Sequence, residues 1–213
     1  MLAERPCELR DSDHRYVDLT NGTEMVVSVT GVINWFKPPY DGPPEAGWRG
    51  THVHAYLEAR LKGLPVPGPI SPEGIDCSDW FAQVQDLKLY EREILASELT
   101  MIDTKKSLGG QIDCIFRDSQ GKVCLLDFKT KGDWWSKPSQ DDLDNYAAQA
   151  GGYMALLTCP DSTAESRVWI DYCQTLVIQP QKLTFLPPMD VDRCAALWND
   201  CWERYFIAAR TSF

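Results

Sequence analysis

The sequence predicts a mixed α/β protein: a central sheet flanked by helices. Three observations carry this. Residues 111–130 hold two strand-like runs of alternating apolar residues around Asp118-Ser119-Gln120-Gly121. Residues 141–157 and 190–209 place apolar side chains at helical spacing. A further strand-like run, residues 167–178, falls between those two helices, so strands and helices interleave along the chain.

The remaining elements follow in order. Met25-Val26-Val27-Ser28-Val29 reads as a short strand, followed by an irregular Pro/Gly stretch over residues 37–47. Thr51 caps a helix over 52–61, which Gly63 and Pro65 stop, and a loop runs to Gly74. Trp80, Phe81, Val84, Leu87 and Leu89 give residues 79–90 a helical pattern. Residues 91–101 and 182–186 read as strands.

With 213 residues, 44% of them apolar, the chain is long enough for one sizeable core and short for two, so residues 1–213 are expected to form one domain. No apolar run approaches the ~20 residues that cross a bilayer. Glu4 and Glu8 interrupt the first ten residues, which do not read as a secretory signal. A cytoplasmic protein with no membrane partner is the expectation. The eight cysteines contain no CxxC pair, which excludes zinc-ribbon and thioredoxin readings and predicts reduced, structural thiols. A net charge of −10 excludes nonspecific coating of duplex DNA, which needs clustered Lys and Arg. Residues 104–137 depart from that balance, with seven basic against four acidic side chains, and point to an anionic ligand held at one place.

In residues 111–130 the apolar Ile112, Cys114, Phe116, Cys124, Leu126 and Phe128 are even-numbered, whereas Asp113, Asp127 and Lys129 are odd. Strand side chains alternate faces, so the even set is expected to pack the core and the odd set to share the other face. Pairing Ile112 with Phe128 and Cys114 with Leu126 sets Asp113 opposite Asp127, with Cβ atoms ~5 Å apart. That register requires an odd-length loop or a bulge near residues 118–122. Two facing carboxylates repel unless a cation lies between them, and oxygen ligands suit Mg²⁺ or Mn²⁺. Lys129, on the same face, adds a positive charge beside them that suits a phosphorane-like transition state.

Gly110-Gln111-Ile112-Asp113, Asp127-Phe128-Lys129-Thr130 and Gln149-Ala150-Gly151-Gly152-Tyr153 resemble, in this order, the motifs of the PD-(D/E)xK nuclease superfamily. The likeness is to its RecB-like exonuclease branch, in the group of the mitochondrial genome maintenance exonuclease and its phage and bacterial relatives. Ser28-Val29-Thr30 and Gly50-Thr51-His52-Val53-His54 match two further motifs of that group, so the likeness spans residues 28–153, with 28–157 as motif core and 167–212 completing the domain. It implies a restriction-endonuclease-like fold with a mixed central sheet between helices. It also implies Asp113, Asp127, the Phe128 carbonyl, His54 and an upstream acid, Glu98, as metal ligands, with Glu93 and Glu58 as rivals of Glu98. Lys129 is the implied catalytic lysine, and Gln149 and Tyr153, one turn apart on a helix, support the site and the nucleic acid.

Candidate DNA contacts are Ser28, Thr30, Thr130 and Lys131, with Trp134 and Trp135 as stacking surfaces for unpaired bases. Trp35 and Trp48 stand as the facing wall, and the other tryptophans as core. Glu58, one turn after His54, is its expected hydrogen-bond partner, and Gly151-Gly152 predicts a close backbone approach. Cys194 and Cys201 lack the companions of an iron–sulfur site, and there is no phosphate-loop motif for a nucleotide. The expected activity is Mg²⁺- or Mn²⁺-dependent exonucleolytic cleavage of DNA from single-stranded ends, in replication, recombination or degradation alongside proteins of those processes. The bacterial or phage-infected cell is the expected setting. The alternatives are a structure-selective endonuclease and a non-cleaving DNA-end binder or DNA mimic.

Overall fold

A computed structural model describes residues 7–10, 15–38, 42–159 and 168–211. The chain forms β1 (Cys7–Arg10), β2 (Arg15–Asp18), β3 (Thr23–Glu24), β4 (Val27–Ser28), α1 (Val29–Asn34), α2 (Pro44–Lys62), α3 (Ser78–Val84), β5 (Glu93–Asp103), β6 (Leu108–Arg117), β7 (Val123–Thr130), α4 (Gln140–Leu157), β8 (Tyr172–Gln179), β9 (Lys182–Phe185) and α5 (Val191–Thr211). The first three strands make a small antiparallel sheet. The other six make one mixed sheet, parallel at β4/β6 and β7/β8 and antiparallel elsewhere, with helices on both faces. This is the mixed α/β class that the sequence predicts.

The middle of the sheet positions the site. β5 runs along one edge of β6. On the other edge β4 pairs with Leu108 and Gly109, and β7 pairs with residues 114–117. Gly110, Gln111, Ile112 and Asp113 therefore border an opening between two neighbouring strands. Cys114 faces Leu126 as predicted, and residues 118–122 make a five-residue loop. Gly121 turns there with φ 80°, and the Asp118 carboxylate accepts the N–H groups of Gln120 and Lys122. The predicted Ile112–Phe128 pair does not form, because the two strands part at Asp113.

The expectation of a single core face is also corrected. Cys114, Phe116, Leu126 and Phe128 pack with Val53 and Leu57 of α2 and Phe81 of α3. Ile115, Val123 and Leu125, odd-numbered, pack on the other face with Ala150 and Leu156 of α4 and Trp198 of α5. Ile112 belongs with this second group. The alternation thus slips by one between Ile112 and Ile115, beside Glu98 of β5, whose φ of 50° is left-handed.

Local chemistry explains the other shifts. The predicted 52–61 helix begins at Pro44, since a first-turn proline has no N–H to lose, and it ends at left-handed Gly63 as expected. Thr51 is therefore inside the helix and not its cap. The strand expected at 25–29 shrinks to two residues because Ser28 caps α1, its hydroxyl accepting Gly31 N–H at 2.9 Å. The predicted 79–90 helix divides into α3 and a 3₁₀ turn at Lys88–Glu91. A reciprocal Ser139–Asp142 capping box starts α4. Gly151 and Gly152 do mark a close approach: a Cβ on Gly151 would lie 2.1 Å from the Cys194 carbonyl oxygen. The small β1–β3 sheet has no counterpart among the predicted elements, and Arg167, the expected start of a strand, lies outside the described residues. Among the tryptophans assigned to the core, Trp198 is buried but Trp169 is 79% exposed.

Candidate active site

Where β6 leaves β7, the Asp113 carboxylate replaces the missing ladder acceptor: Phe128 N–H donates to its Oδ2 at 2.6 Å. Its other oxygen, Oδ1, lies 3.5 Å from His54 Nδ1. Glu98 stands opposite Asp113 in the β5/β6 register, between the pairs Ser97–Cys114 and Leu99–Ile112, and its Oε1 is 3.6 Å from the same nitrogen. One ligand atom from each of His54, Glu98 and Asp113 falls within 4.8 Å of the others. A left-handed non-glycine residue in mid-strand costs of order 1–3 kcal/mol, and here it turns a carboxylate toward the site. The Phe128 ring meets the His54 ring edge-on at 5.8 Å and is otherwise core, so Phe128 can join the site only through its main chain.

Asp127 and Lys129 lie two residues apart on β7, and α4 supplies their partners. Lys129 Nζ hydrogen-bonds Asp127 Oδ1 at 3.0 Å and Gln149 Oε1 at 2.9 Å, and is 2.8 Å from Asp127 Oδ2. Gln149 Nε2 in turn donates to the Tyr153 hydroxyl at 2.8 Å. Helical spacing puts Gln149 and Tyr153 on one face, as predicted, and both are buried. Asp127 is buried too, and stands outside the His54–Glu98–Asp113 cluster because it is turned to the ammonium.

Burial raises the pKa of both aspartates. It takes Asp127 to about 6 against the pull of Lys129, with Asp113 adding to the rise. In Asp113, burial outweighs the opposing charge of His54. Burial works against a charged imidazole at His54, yet Asp113 and Glu98 overcome it and lift the group to about 9. Three crowded carboxylates, two of them buried, form an arrangement that a divalent cation in place of the His54 proton would relieve. Glu98 Oε1 is buried beside the His54 imidazole at 3.6 Å, too far for a good hydrogen bond, as suits a ligand position. An oxygen-rich set with one imidazole fits Mg²⁺ or Mn²⁺.

An open cleft of 630 Å³ leads to the cluster, lined by Cys7, Glu8 and Leu9 of β1, Gly50, Thr51, His54, Ala55 and Glu58 of α2, and Glu98, Thr100 and Gln111. Glu58 is not the partner of His54, since it pairs with Lys62 at 2.6 Å on its own helix. Glu93 is tied to Arg117, far along β5 from Glu98. His52 is structural, stacked on Phe81 with Nε2 2.8 Å from the Gly68 carbonyl oxygen.

The expected DNA contacts divide. Ser28 and Thr30 hydroxyls meet at 3.1 Å around the start of α1. The Thr130 hydroxyl is buried without a partner, and burial lowers the pKa of Lys131. Trp134 is 83% exposed, whereas Trp135 is 7% exposed against Tyr146, Val177 and Leu186. Trp135 is therefore a core residue, and stacking on a base is closed to it. Trp35 and Trp48 are both partly exposed, and the Trp35 ring packs edge-on against Tyr205.

Sequence reasoning missed Tyr16. Its ring lies on Gly109, where a Cβ would come within 2.3 Å of Tyr16 Cγ. Burial, then Asp113 and Glu98, raise its pKa to about 12, so the phenol is neutral beside the carboxylates. The Gly109-Gly110 pair was the available signal.

No family model matches the chain, and no curated protein matches it. Among solved structures, one titled "Crystal structure of SSO0001" aligns at 17% identity over 50% of this chain and 48% of its own length. Its TM-score of 0.30 is too low to carry an argument. No described helix is long and apolar enough to cross a membrane.

Proposed function

We propose that the chain is a metal-dependent deoxyribonuclease of the PD-(D/E)xK kind, acting exonucleolytically on DNA with a free single-stranded end. The observation that carries this reading is the juxtaposition at the parting of β6 and β7. His54, Glu98 and Asp113 converge there within 4.8 Å, and Lys129 is held between Asp127 and Gln149 on the adjoining strand. A DNA mimic would gain nothing from the two aspartates buried in this cluster, Asp113 and Asp127.

His54, Glu98 and Asp113 would hold Mg²⁺ or Mn²⁺, with Asp127 as a fourth donor once its contact with Lys129 opens. The bound ion supplies Lewis-acid polarisation of a phosphate oxygen and acidifies a water. Lys129 brings a fixed positive charge to the place where negative charge grows during in-line attack. Gln149 accepts from that ammonium and, anchored on Tyr153, keeps it from swinging away. Phe128 N–H fixes one Asp113 oxygen and leaves the other toward His54.

Cleavage of linear single-stranded, circular single-stranded and duplex DNA, each with Mg²⁺, Mn²⁺ or EDTA, tests the reading. Metal-dependent loss of linear single strands, absent in Lys129→Ala, is expected. Cleaved circles would mean an endonuclease. Failure to cut any of them in every metal would leave a binding protein.

A further inference from the structure

Arg49 lies on α2, just before the segment 50–54. It precedes Gly50 and Thr51, which line the cleft, but its own side chain goes to the other flank of α2. There the guanidinium carbon sits 4.7 Å from the centroid of the Trp80 ring. The indole N–H of Trp80 donates to the Lys131 carbonyl at 3.0 Å. One indole therefore joins an arginine of α2 to the segment that leaves β7 two residues after Lys129.

Among the described residues no carboxylate ion-pairs with Arg49, and its Nε, though buried, has no hydrogen-bond partner. That is unusual for a guanidinium, whose donors form a rigid fork suited to carboxylate or phosphate. Stacking on Trp80 fixes its plane, and with Nε buried the terminal Nη groups are the donors through which a ligand would be met. Lys131 is half-buried, and the charged groups acting on its ammonium are Asp142 of α4 and Lys129. Lys131 thus follows Lys129 by two residues, and Arg49, with no counter-ion among the described residues, is tied through Trp80 to the Lys131 main-chain carbonyl.

We propose that Arg49, laid on Trp80 and joined through it to Lys131, is a phosphate-recognising site that grips the sugar–phosphate chain beside the reaction centre. The carrier of that phosphate, single-stranded DNA, rests on the nuclease reading. The phosphate chemistry does not.

The test compares the full chain with Arg49→Gln, Arg49→Lys and Lys131→Gln. Binding of fluorescein-labelled oligothymidylate is followed by anisotropy in Ca²⁺ across a salt series. The thermal midpoint is followed with inorganic tripolyphosphate. Arg49→Gln is expected to weaken oligothymidylate about tenfold or more. It should also lower the salt slope by about 0.7, the value of one phosphate contact on a single strand. Lys131→Gln should act alike, and Arg49→Lys should keep the slope while losing affinity.

Unchanged affinity and slope in Arg49→Gln would overturn the site and leave the nuclease reading standing. Should that variant not fold, unchanged affinity in Arg49→Lys would overturn it equally. If oligothymidylate does not bind but tripolyphosphate raises the midpoint of the wild type and not of Arg49→Gln, the phosphate site stands and the nuclease reading falls. A wild type that takes neither ligand overturns the site.

Discussion

Asp113 accepts the main-chain N–H of Phe128 at 2.6 Å, so a side chain completes the β6/β7 ladder at the point where the strands separate. The same carboxylate has its other oxygen 3.5 Å from His54. One residue thus seals a gap in the sheet and faces the candidate metal cluster, and the two tasks can be separated by substitution. Asp113→Asn keeps an acceptor for Phe128, and Asp113→Ala leaves a buried N–H unpaired at a cost of about 1–3 kcal/mol. Both variants should be inactive, with the alanine variant the less stable by that amount in urea denaturation. Equal stabilities would mean that the Phe128 hydrogen bond contributes nothing.

The titrating groups set the pH response. His54 has a folded pKa of about 9, above its ordinary 6.5, so the stability it adds is complete below pH 6.5 and lost as pH rises through 9. Asp127, raised to about 6 from 3.8, likewise binds its proton more tightly in the folded state, so it lowers stability as pH rises from 3.8 through 6. In EDTA the thermal midpoint should therefore fall between about pH 4 and pH 9 through these two groups. A bound cation needs a neutral His54 and an ionised Asp127, so the gain in midpoint on adding Mn²⁺ should grow over the same range. Scanning calorimetry reads both trends. A Mn²⁺ gain that is flat from pH 6 to pH 9 would remove His54 from the ligand set.

Lys129, Gln149 and Tyr153 form a chain in which each link is a hydrogen bond of 2.8–2.9 Å. Gln149→Leu keeps the volume but deprives the ammonium of its acceptor on α4. Its expected signature is a drop in kcat of about 10²-fold, the scale of one well-placed polar group, with Kd for uncleaved DNA unchanged. Lys129→Ala should reduce cleavage at least as far. If Gln149→Leu lost affinity and kept its rate, Gln149 would belong to binding and not to the lysine.

How far the sequence could be read follows from which interactions are local. The Cys114–Leu126 register and an odd-length loop or bulge near residues 118–122 are legible because strand alternation requires paired residue numbers to sum to an even value. The joining of His54 with Asp113 was not legible from spacing and came only from the motif resemblance. Glu98 was named, but its left-handed backbone was not, because glutamate carries no local preference for φ 50°. The burial of both sheet faces hid behind a pattern that reads as one-sided until β8 is known to lie parallel to β7 and both faces to be covered. Arg49 and Tyr16 escaped because their partners, Trp80 and Gly109, are remote in sequence.

The adjacent tryptophans separate packing from recognition. Trp135 is enclosed by Tyr146, Val177 and Leu186, so Trp135→Ala should cost about 3–5 kcal/mol of stability. Trp134, 83% exposed, should leave stability within about 0.5 kcal/mol when changed to alanine. If it stacks on a base, that variant should bind single-stranded DNA about 1–3 kcal/mol more weakly. Urea melts and oligonucleotide titrations on both variants decide, and unchanged affinity in Trp134→Ala would take that ring out of the DNA path.

Gly109 and Tyr16 provide a test of whether the small sheet closes the site. A Cβ at Gly109 would meet Tyr16 Cγ, Cβ and Cδ2 at 2.3, 2.4 and 2.5 Å, close to the β2 backbone where no rotamer gives relief. Gly109→Ala should therefore destabilise by about 1–3 kcal/mol, the range for overpacking, and loosen β2 from β6. Tyr16→Ala removes the obstruction, so the double variant should be more stable than the two single costs predict when added. A double-mutant cycle in urea gives the coupling, which should be favourable by more than about 0.5 kcal/mol. Additive costs would mean that Tyr16 does not rest on Gly109, and the small sheet whose β1 lines the cleft would then lack that anchor.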